Sequence, residues 1–301
     1  MELYRKHRPK KFKQVVGQDD AVKTLMDLVK RDSVPHALLF QGPSGCGKTT
    51  LARILRKKLG CSDEDFREIN AADSRGIDMV RDIRQKVGLA PLTGECRVWL
   101  IDEAAQLTTQ AQDSFLKLLE DTPSHVYFML ATTDPQKLKR TIITRCTQIK
   151  LGLIPDKVIS GLVKDVCAKV SSNLTREVLD KIVDIAEGSA RKALVLLHQV
   201  IGLDSEEDQL AALAKADSKR QAIELCRLLL GGSLWPEIVK VLKDVDDEPE
   251  SLRRMVLGYV SKVCLGGRTT QRAVEIMNCF LDNFYDSGKA GLIVACWNAK
   301  D

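Results

Sequence analysis

The segment Gly42-Pro43-Ser44-Gly45-Cys46-Gly47-Lys48-Thr49 decides the fold, because it matches the phosphate-binding pattern G-x-x-x-x-G-K-[ST]. The apolar run His36-Ala37-Leu38-Leu39-Phe40 precedes it and predicts a buried strand, and residues 48–59 follow it with apolar side chains at helical spacing. Glycines let backbone N–H groups close around phosphates, and the start of a helix adds partial positive charge. A chance glycine-rich turn is the alternative, and both flanks and a second motif argue against it.

This loop predicts ATP and Mg²⁺ as cofactors. Lys48 is expected to reach the β- and γ-phosphates, and the hydroxyl of Thr49 is expected to ligate Mg²⁺. The predicted nucleotide contacts of the loop are Gly42, Pro43, Gly45, Cys46, Gly47, Lys48, Thr49 and Thr50. Cys46 occupies a variable position of the motif, where structural filling is favoured over an oxidation-sensitive thiol.

A second motif, Val98-Trp99-Leu100-Ile101-Asp102-Glu103, predicts an apolar strand that ends in two acids. Beside a phosphate loop, Asp102 would hold Mg²⁺ through water, and Glu103 would orient or deprotonate the attacking water. Alone, such a pair indicates only solvated acids; in an alternating α/β chain downstream of Lys48, the catalytic interpretation is favoured. A third strand end, Leu130-Ala131-Thr132-Thr133-Asp134-Pro135, places a threonine hydroxyl at the same edge of a parallel sheet, although Thr-Asp-Pro also forms turns.

The composition indicates a soluble intracellular protein. Of its 301 residues 44% are hydrophobic and 29% charged, and the net charge of +5 permits nucleic-acid binding without arguing for it. No apolar run is long enough to cross a membrane, so we expect no membrane partner. The N-terminus lacks the apolar core of a secretory signal, so we expect a cytoplasmic location. That cytoplasm would belong to a bacterium or to a phage-infected host, and the location would be nuclear in a eukaryote. Nine widely spaced cysteines exclude a C-x-x-C zinc knuckle and predict reduced thiols.

The order of apolar runs predicts an α/β fold, a doubly wound parallel sheet of five strands followed by helices. The predicted strands are 36–41, 66–70, 96–101, 126–131 and 147–151, and the helices among them are 19–31, 48–59, 77–87, 107–120 and 135–143. Beyond Pro155 the predicted helices are 156–170, 175–187, 189–202, then about 207–214, 217–230, 233–244, 248–265 and 269–286, with an apolar tail at 289–297. The predicted domains are a nucleotide-binding domain at 1–152, a three-helix lid at 153–203 and a helical C-terminal domain at 204–301.

Five segments resemble, in the right order, the clamp-loader ATPases of the AAA+ class. Leu3-Tyr4-Arg5-Lys6-His7-Arg8-Pro9-Lys10-Lys11-Phe12, followed by Val15-Val16-Gly17-Gln18, resembles the "YRKYRPxxFxxVVGQ" start of the bacterial gamma/tau subunit, and residues 120–138 resemble its "EEPPxHVxFxLATTDPxKL". Residues 70–78 are closer to the "NASDERGID" of replication factor C small subunits. Thr144-Arg145-Cys146 is similar to the family's Ser-Arg-Cys, and residues 188–194 are similar to its lid motif "GSxRxAL". This mixture fits a phage-encoded or divergent loader.

The resemblance implies roles for residues outside the loop. Three of them would border the adenine: Arg8, Pro9 and Val16. Thr133 would take the sensor place on its strand, and Arg191 would reach ATP from the lid of the same chain. Arg145 would act as an arginine finger on the γ-phosphate held by a neighbouring subunit. Because the family assembles as pentamers with a helical collar, the resemblance implies that residues 204–301 form the collar and that the chain joins other loader subunits. A ring of one chain type and a ring of copies of this chain plus a distinct subunit both stay open.

DNA contacts are also implied, in the helices that follow the Arg-Gly-Ile-Asp and Asp-Glu motifs. The predicted contact residues are Arg75, Arg81 and Thr108, and contacts of this kind would be independent of base sequence and sensitive to salt. Helix 77–87 is expected to bury Ile77, Val80, Ile83 and Val87. Its polar face mixes both signs of charge, so an ordinary solvated face is an equal alternative.

The predicted function is therefore an ATPase subunit of a DNA sliding-clamp loader. ATP binding would assemble an open spiral that opens the sliding clamp, and primer–template DNA would trigger hydrolysis and release of the clamp. The chain departs from the family pattern at Asp-Glu-Ala-Ala, at Thr144 and in lacking the cysteine quartet of the gamma/tau zinc module, yet both hydrolytic acids are present. Two alternatives stay open: a structural subunit that does not hydrolyse ATP, and an AAA+ ATPase of DNA recombination or defence.

Overall fold

The computed structural model describes residues 2–170, 172–243, 249–266 and 271–300. The chain divides into two compact units, Met1–Gly202 and Leu203–Asp301. The finer division of the first unit into a sheet domain and a lid stays a prediction. Within the described ranges, no helix has both the length and the apolar character that a bilayer crossing requires.

The first unit is built on a parallel sheet of five strands, as predicted. The strands are β1 (Ala37–Gln41), β2 (Phe66–Asn70), β3 (Arg97–Asp102), β4 (Val126–Thr132) and β5 (Thr147–Lys150), in the order β2-β3-β4-β1-β5. The three central strands are almost wholly buried, whereas β2 and β5 at the edges expose many of their side chains. A parallel sheet needs cover on both faces, which explains the continuous apolar runs of the central strands.

Helices cover both faces of this sheet. In chain order, the helices of the first unit are α1 (Leu3–Lys6), α2 (Asp19–Lys30), α3 (Lys48–Lys58), α4 (Ile77–Lys86), α5 (Thr109–Glu120), α6 (Arg140–Arg145), α7 (Asp156–Lys169), α8 (Arg176–Ala186) and α9 (Ala190–Val200). Leu25 of α2 and Leu51 of α3 belong to one core cluster, while Ile83 of α4 and Phe115 of α5 belong to the cluster on the opposite face. Burial of Val80 and Ile83, with Ile77 and Val87 half-buried, agrees with the face expected for α4.

Two details of the first unit differ from prediction. The helix predicted at 135–143 is wrong: a short 3₁₀ turn spans Pro135–Lys137, and α6 starts only at Arg140, because Leu138 and Lys139 take non-helical ψ angles of 142° and 136°. The four-residue helix α1 was not predicted, since one turn carries too little periodicity to recognise.

In its described residues the second unit consists of helices and contains no strand. These are α10 (Glu206–Gly231), α11 (Trp235–Lys243), α12 (Pro249–Leu265), α13 (Gln271–Cys279) and α14 (Gly288–Asn298), packed around Leu225, Leu252 and Phe280. The separate helices predicted at 207–214 and 217–230 are wrong, because α10 runs through both; Asp217 pairs with Arg220 one turn later, which stabilises the helix there.

The predicted helix 269–286 ends early, at Cys279, and the predicted apolar tail 289–297 lies within α14. Three predicted helix boundaries, the end at 244 and the starts at 248 and 269, lie outside the described residues.

Candidate nucleotide-binding site

The topology of the sheet brings three motif-bearing strand ends together. β4 lies between β1 and β3, and all three run in the same direction. The phosphate loop, residues 42–47, follows β1; Asp102 ends β3; and Thr133 follows β4. The N–H of Gly42 donates to the carbonyl of Thr132 at 3.3 Å, which ties the loop to the neighbouring strand. Ligands of open α/β sheets bind at this edge.

The phosphate loop depends on glycine at three positions, the first being Gly42, which has φ +153° and where a Cβ would lie 2.3 Å from the carbonyl oxygen of Leu151. Gly45 has φ +76° and Gly47 has φ +112°, in the region where other residues are strained. A Cβ on Gly45 would lie 2.1 Å from Ser189 Oγ at the start of α9, so the loop and this helix are in close approach. Helix α3 begins at Lys48, directly after the loop, and therefore points the N–H groups of its first turn towards the loop.

Lys48 lies buried inside the loop. Its Nζ donates to the carbonyls of Gly42 and Pro43, each at 2.8 Å. Burial lowers the pKa of the ammonium, and the carboxylates of Asp102 and Glu103 oppose that shift. A buried cation whose hydrogen-bond partners are neutral carbonyls suits a polyphosphate, because the charged phosphate oxygens are stronger acceptors.

Hydrogen bonds link four motif residues next to the loop, and the link between Asp102 and Glu103 runs through the backbone N–H of Glu103. Thr49 Oγ1 donates to Asp102 Oδ2 at 3.2 Å, and the N–H of Glu103 donates to Asp102 Oδ1 at 3.0 Å. Thr133 Oγ1 donates to Glu103 Oε2 at 3.4 Å. The hydroxyl of Thr49 and the carboxylate of Asp102 are oxygen ligands of the kind Mg²⁺ prefers, so the residues present fit that ion.

A cavity of about 560 Å³ opens beside the loop, walled by three parts of the first unit. The N-terminal segment contributes Arg8, Pro9 and Val16, whose predicted contact with the adenine stays a prediction; the loop contributes residues 44–47 and α3 contributes Lys48–Thr50. Helices α7 and α9 contribute apolar side chains, Val166 and Leu194 among them, beside charged ones. A lining that combines apolar side chains with a glycine-rich loop suits a nucleotide, whose base and phosphates need different surroundings.

Positive charge is concentrated around this cavity. Arg191 lines it, and its guanidinium lies 5.7 Å from the ring centroid of Tyr4, in cation–π contact. Burial lowers the pKa of Arg8, and the positive charges of Arg53 and Arg191 lower it further. Cations forced this close together favour a polyanionic ligand, because such a ligand relieves their mutual repulsion.

Arg145 is not part of this cavity. It ends α6, where Nη2 pairs with Glu120 Oε1 at 2.5 Å and Nη1 donates to the carbonyl of Thr141 at 3.1 Å. Both partners of this ion pair are exposed, and none of the cavity lining comes from α6. The predicted finger therefore lies away from the chain's own phosphate loop.

The predicted DNA contacts are only partly brought together. The N–H of Thr108 donates to the carbonyl of Arg75 at 3.1 Å, so these two exposed residues are neighbours. The hydroxyl of Thr108 caps α5 by accepting from the N–H of Ala111. Arg81 instead pairs with Asp78 one turn away on α4, at 2.8 Å.

Several residues that line the cavity were not predicted from the sequence. Tyr4 and His7 line the cavity from the N-terminal segment, and burial, with the charges of Lys169 and Lys6, lowers the pKa of His7. Helix α7 adds a group that no motif marked: Leu162, Asp165, Val166 and Lys169. The sequence of α7 shows only the helical spacing of its apolar residues, and every packed helix shows that spacing.

Comparison with known proteins places the chain in a family. The tau subunit of DNA polymerase III from Bacillus subtilis is 36% identical over 225 residues, 68% of this chain and 40% of the relative. The gamma subunit of DNA polymerase III from Buchnera aphidicola (Schizaphis graminum) is 32% identical over 252 residues, 76% of this chain and 69% of the relative. The chain belongs to the family of DNA polymerase III gamma and tau subunits. Family membership confirms the resemblance to AAA+ clamp-loader subunits.

Two further likenesses agree with this family and fold. The family described as DNA polymerase III, delta subunit, matches residues 63–154. The structure of the Thermotoga maritima RuvB Holliday junction branch migration motor is similar with a TM-score of 0.59, at 19% identity, over 82% of this chain and 84% of that one. At this identity the likeness shows the AAA+ fold alone. The chain spans between about a third and two fifths of the length of the gamma/tau and tau relatives it matches first.

Proposed function

We propose that the chain is an ATP-hydrolysing subunit of a DNA sliding-clamp loader. The observation that carries the proposal is the hydrogen-bonded series from Thr49 through Asp102 and Glu103 to Thr133, set under a phosphate loop in a gamma/tau family chain. A subunit that only occupied a place in a ring would have no need of both hydrolytic acids in this arrangement.

In the proposed reaction the chain holds ATP by its phosphates and base. Lys48 exchanges its loop carbonyls for phosphate oxygens, and Arg191 approaches from α9 of the same chain. Mg²⁺, held by Thr49 and through water by Asp102, would neutralise charge on the phosphate oxygens. Arg8, Pro9 and Val16, which line the cavity from the N-terminal segment, would border the base.

Glu103 is the proposed general base, and Thr133 its orienting partner. The Thr133 hydroxyl donates to Oε2 of Glu103, which leaves Oε1 to accept a proton from the attacking water. The γ-phosphoryl group is transferred from ATP to that water, ADP leaves, and a proton of the water passes to Glu103. Thr133 contacts the carboxylate from just beyond β4, the strand between the other two motifs, and this contact supports its proposed role as a sensor of the γ-phosphate.

The arginine that triggers ATP hydrolysis is proposed to come from a neighbouring subunit in a pentameric ring. Arg145 is exposed and lies away from the chain's own cavity, as a finger acting in trans requires. The ring would contain copies of this chain together with a distinct subunit, and its work would be to open a sliding clamp. Primer–template DNA would be held through its backbone, with Arg75, Arg81 and Thr108 as the proposed contacts.

The test is ATP turnover by the full chain assembled with its partner subunits, sliding clamp and primed DNA. Glu103→Gln keeps the size of the side chain and loses the base, so we expect ATP binding to be kept and stimulated turnover to fall by about 10²–10⁴-fold. The exposed Glu177→Gln in α8 serves as the matched control and should leave turnover unchanged.

The proposal would be contradicted if ATP turnover did not change on addition of clamp and DNA, or if Glu103→Gln hydrolysed ATP at the unaltered rate. ATP binding without any turnover would instead support a structural subunit. Turnover stimulated by DNA but indifferent to a clamp would support an ATPase of recombination or defence.

A further inference from the structure

Gln18 occupies a helix N-cap position without capping the helix. It directly precedes α2, and its side chain makes no hydrogen bond to the first turn of that helix. Ser, Thr, Asp and Asn are preferred at this position because their short side chains reach the first turn. Gln18 is nevertheless buried, with 6% of its surface exposed, so its amide is used elsewhere.

The amide of Gln18 joins two separate pieces of backbone. Its Nε2 donates to the carbonyl of Cys46 at 3.3 Å and to the carbonyl of Gly152 at 2.8 Å, and its Oε1 accepts from the N–H of Gly152 at 3.2 Å. The two carbonyls can only accept and the N–H can only donate, so this set of partners fixes the orientation of the amide.

Gly152 lies in the connection between β5 and α7, residues 151–155, which we call the lid hinge. On one side of it the N–H of Leu151 donates to Gln41 of the sheet at 2.8 Å, and on the other the N–H of Ile154 donates to Gly188, just before α9, at 2.9 Å. Gly152 itself is exposed, and a Cβ there would meet nothing within 4 Å. Between two anchored neighbours, Gly152 is sterically free to turn, and the amide of Gln18 restrains it.

The other contact of Gln18 sets the direction of a loop N–H. A trans peptide is planar, and its C=O and N–H point in opposite directions. Because the carbonyl of Cys46 is held by Gln18, the N–H of Gly47 in the same peptide must face away from Gln18. Gly47 lines the cavity, in the loop whose N–H groups surround phosphates.

We propose that Gln18 is a positioning residue that couples the phosphate loop to the lid hinge. The same amide orients the peptide between Cys46 and Gly47 and restrains Gly152, so a rotation of that peptide on nucleotide binding alters the restraint on the hinge. The inference rests on the proposed function only in that the loop must bind a nucleotide.

Hydrogen exchange of the full chain tests the coupling in the unaltered protein. With and without ATP and Mg²⁺, exchange is followed at the backbone amides of the phosphate loop and at the amide of Gly152, which reports its bond to Gln18 directly. We expect nucleotide to change exchange at both places. A chain that binds ATP, shown by protection of the loop, while Gly152 exchanges at the same rate would overturn the coupling. A chain that binds no nucleotide would instead overturn the proposed function.

Variants separate positioning from general stability. Gln18→Met keeps the bulk and removes all three hydrogen bonds, and we expect the Kd for ATP to rise about tenfold and the nucleotide-dependent change at Gly152 to disappear. Gln18→Glu keeps an acceptor for the N–H of Gly152 but sets a carboxylate against two carbonyls. Gln18→Glu should therefore weaken ATP binding at least as much as Gln18→Met does.

Gln112 provides the matched control. It is also buried, and its amide also bonds three backbone groups, those of Leu107, Lys137 and Lys139, away from the cavity and the lid hinge. Gln112→Met should lower the Tm as Gln18→Met does, while the Kd for ATP and the response of Gly152 stay as in the unaltered chain. Equal effects of the two substitutions on Kd and exchange would reduce Gln18 to a structural role and overturn the proposal.

Discussion

At Glu103 the backbone takes a left-handed conformation, with φ +49°, that a glutamate adopts at a cost of roughly 1–3 kcal/mol. The conformation turns the chain sharply at the end of β3, and Thr133 then holds the carboxylate. Such strain is tolerated where the surroundings fix the residue, and it often marks functional sites. The Asp-Glu motif predicted which residue sits here, but the motif contains no information on φ.

At the same scale, Gly45 should tolerate no side chain. In Gly45→Ala the new Cβ would meet Ser189 Oγ, and the φ of +76° would add roughly 1–2 kcal/mol of backbone strain. We expect the start of α9, and Arg191 with it, to move from the loop, so that the Kd for ATP rises at least about tenfold. A fluorescent-nucleotide titration measures this.

Gly161→Ala in α7 is the control for that substitution, since a Cβ there meets nothing within 4 Å. It should leave the Kd unchanged and raise helix stability slightly. An unchanged Kd in Gly45→Ala would show that the loop and α9 are not in contact when nucleotide is bound.

At the scale of elements, prediction from sequence succeeded where a motif or a long apolar run fixed the structure. All five strands were predicted, and the three central ones were the clearest, because buried parallel strands leave continuous apolar runs. The break predicted within α10 was wrong because Asp217 pairs with Arg220 inside the helix. The cavity wall from α7 was missed for a related reason: the contacts of a packed helix depend on tertiary structure, which its own periodicity does not encode.

Glu250 gives α12 a dependence on pH. Its carboxylate accepts from Arg253 and Arg254 and from the N–H of Phe284, beyond α13. These bonds, those of Arg253 above all, lower the pKa of Glu250 to about 2 from the ordinary 4.5. A lowered pKa in the folded state gives stability that is complete above 4.5 and is lost as the pH falls towards 2.

Glu250→Gln should therefore lower the stability of the second unit at pH 7, and the difference from the unaltered chain should shrink as the pH falls towards 2. Denaturant unfolding of the full chain, followed through tryptophan fluorescence at several pH values, measures this difference. The exposed Glu237→Gln in α11 should show no such difference. A difference that is constant across the pH range would mean that Glu250 does not titrate as its contacts require.

At the scale of the whole molecule, hydrolysis should depend on assembly. Arg145 lies outside its own cavity, so Arg145→Ala should leave ATP binding by the single chain unchanged and lower turnover of the assembled ring by about 10³–10⁵-fold. An exposed ion pair such as that with Glu120 is worth at most about 1 kcal/mol, so it does not prevent Arg145 from engaging a phosphate. Turnover per subunit as a function of protein concentration completes the measurement.

Arg140→Ala, at the other end of the same helix, is the matched control and should turn over ATP normally. If the isolated chain hydrolyses ATP as fast as the ring does, or if the Arg145 and Arg140 variants behave alike, the finger does not act in trans.

The two bonds from Lys48 to its own loop affect how a null allele should be chosen. The ammonium braces the carbonyls of Gly42 and Pro43, so Lys48→Ala would remove a phosphate ligand and an internal support of the loop together. A genetic defect from that allele would mix lost binding with lost shape, and it would not reveal which step the cell needs. Glu103→Gln leaves Lys48 and its contacts with the loop unaltered. A dominant-negative phenotype from this variant would therefore indicate a subunit that binds ATP and is arrested before hydrolysis.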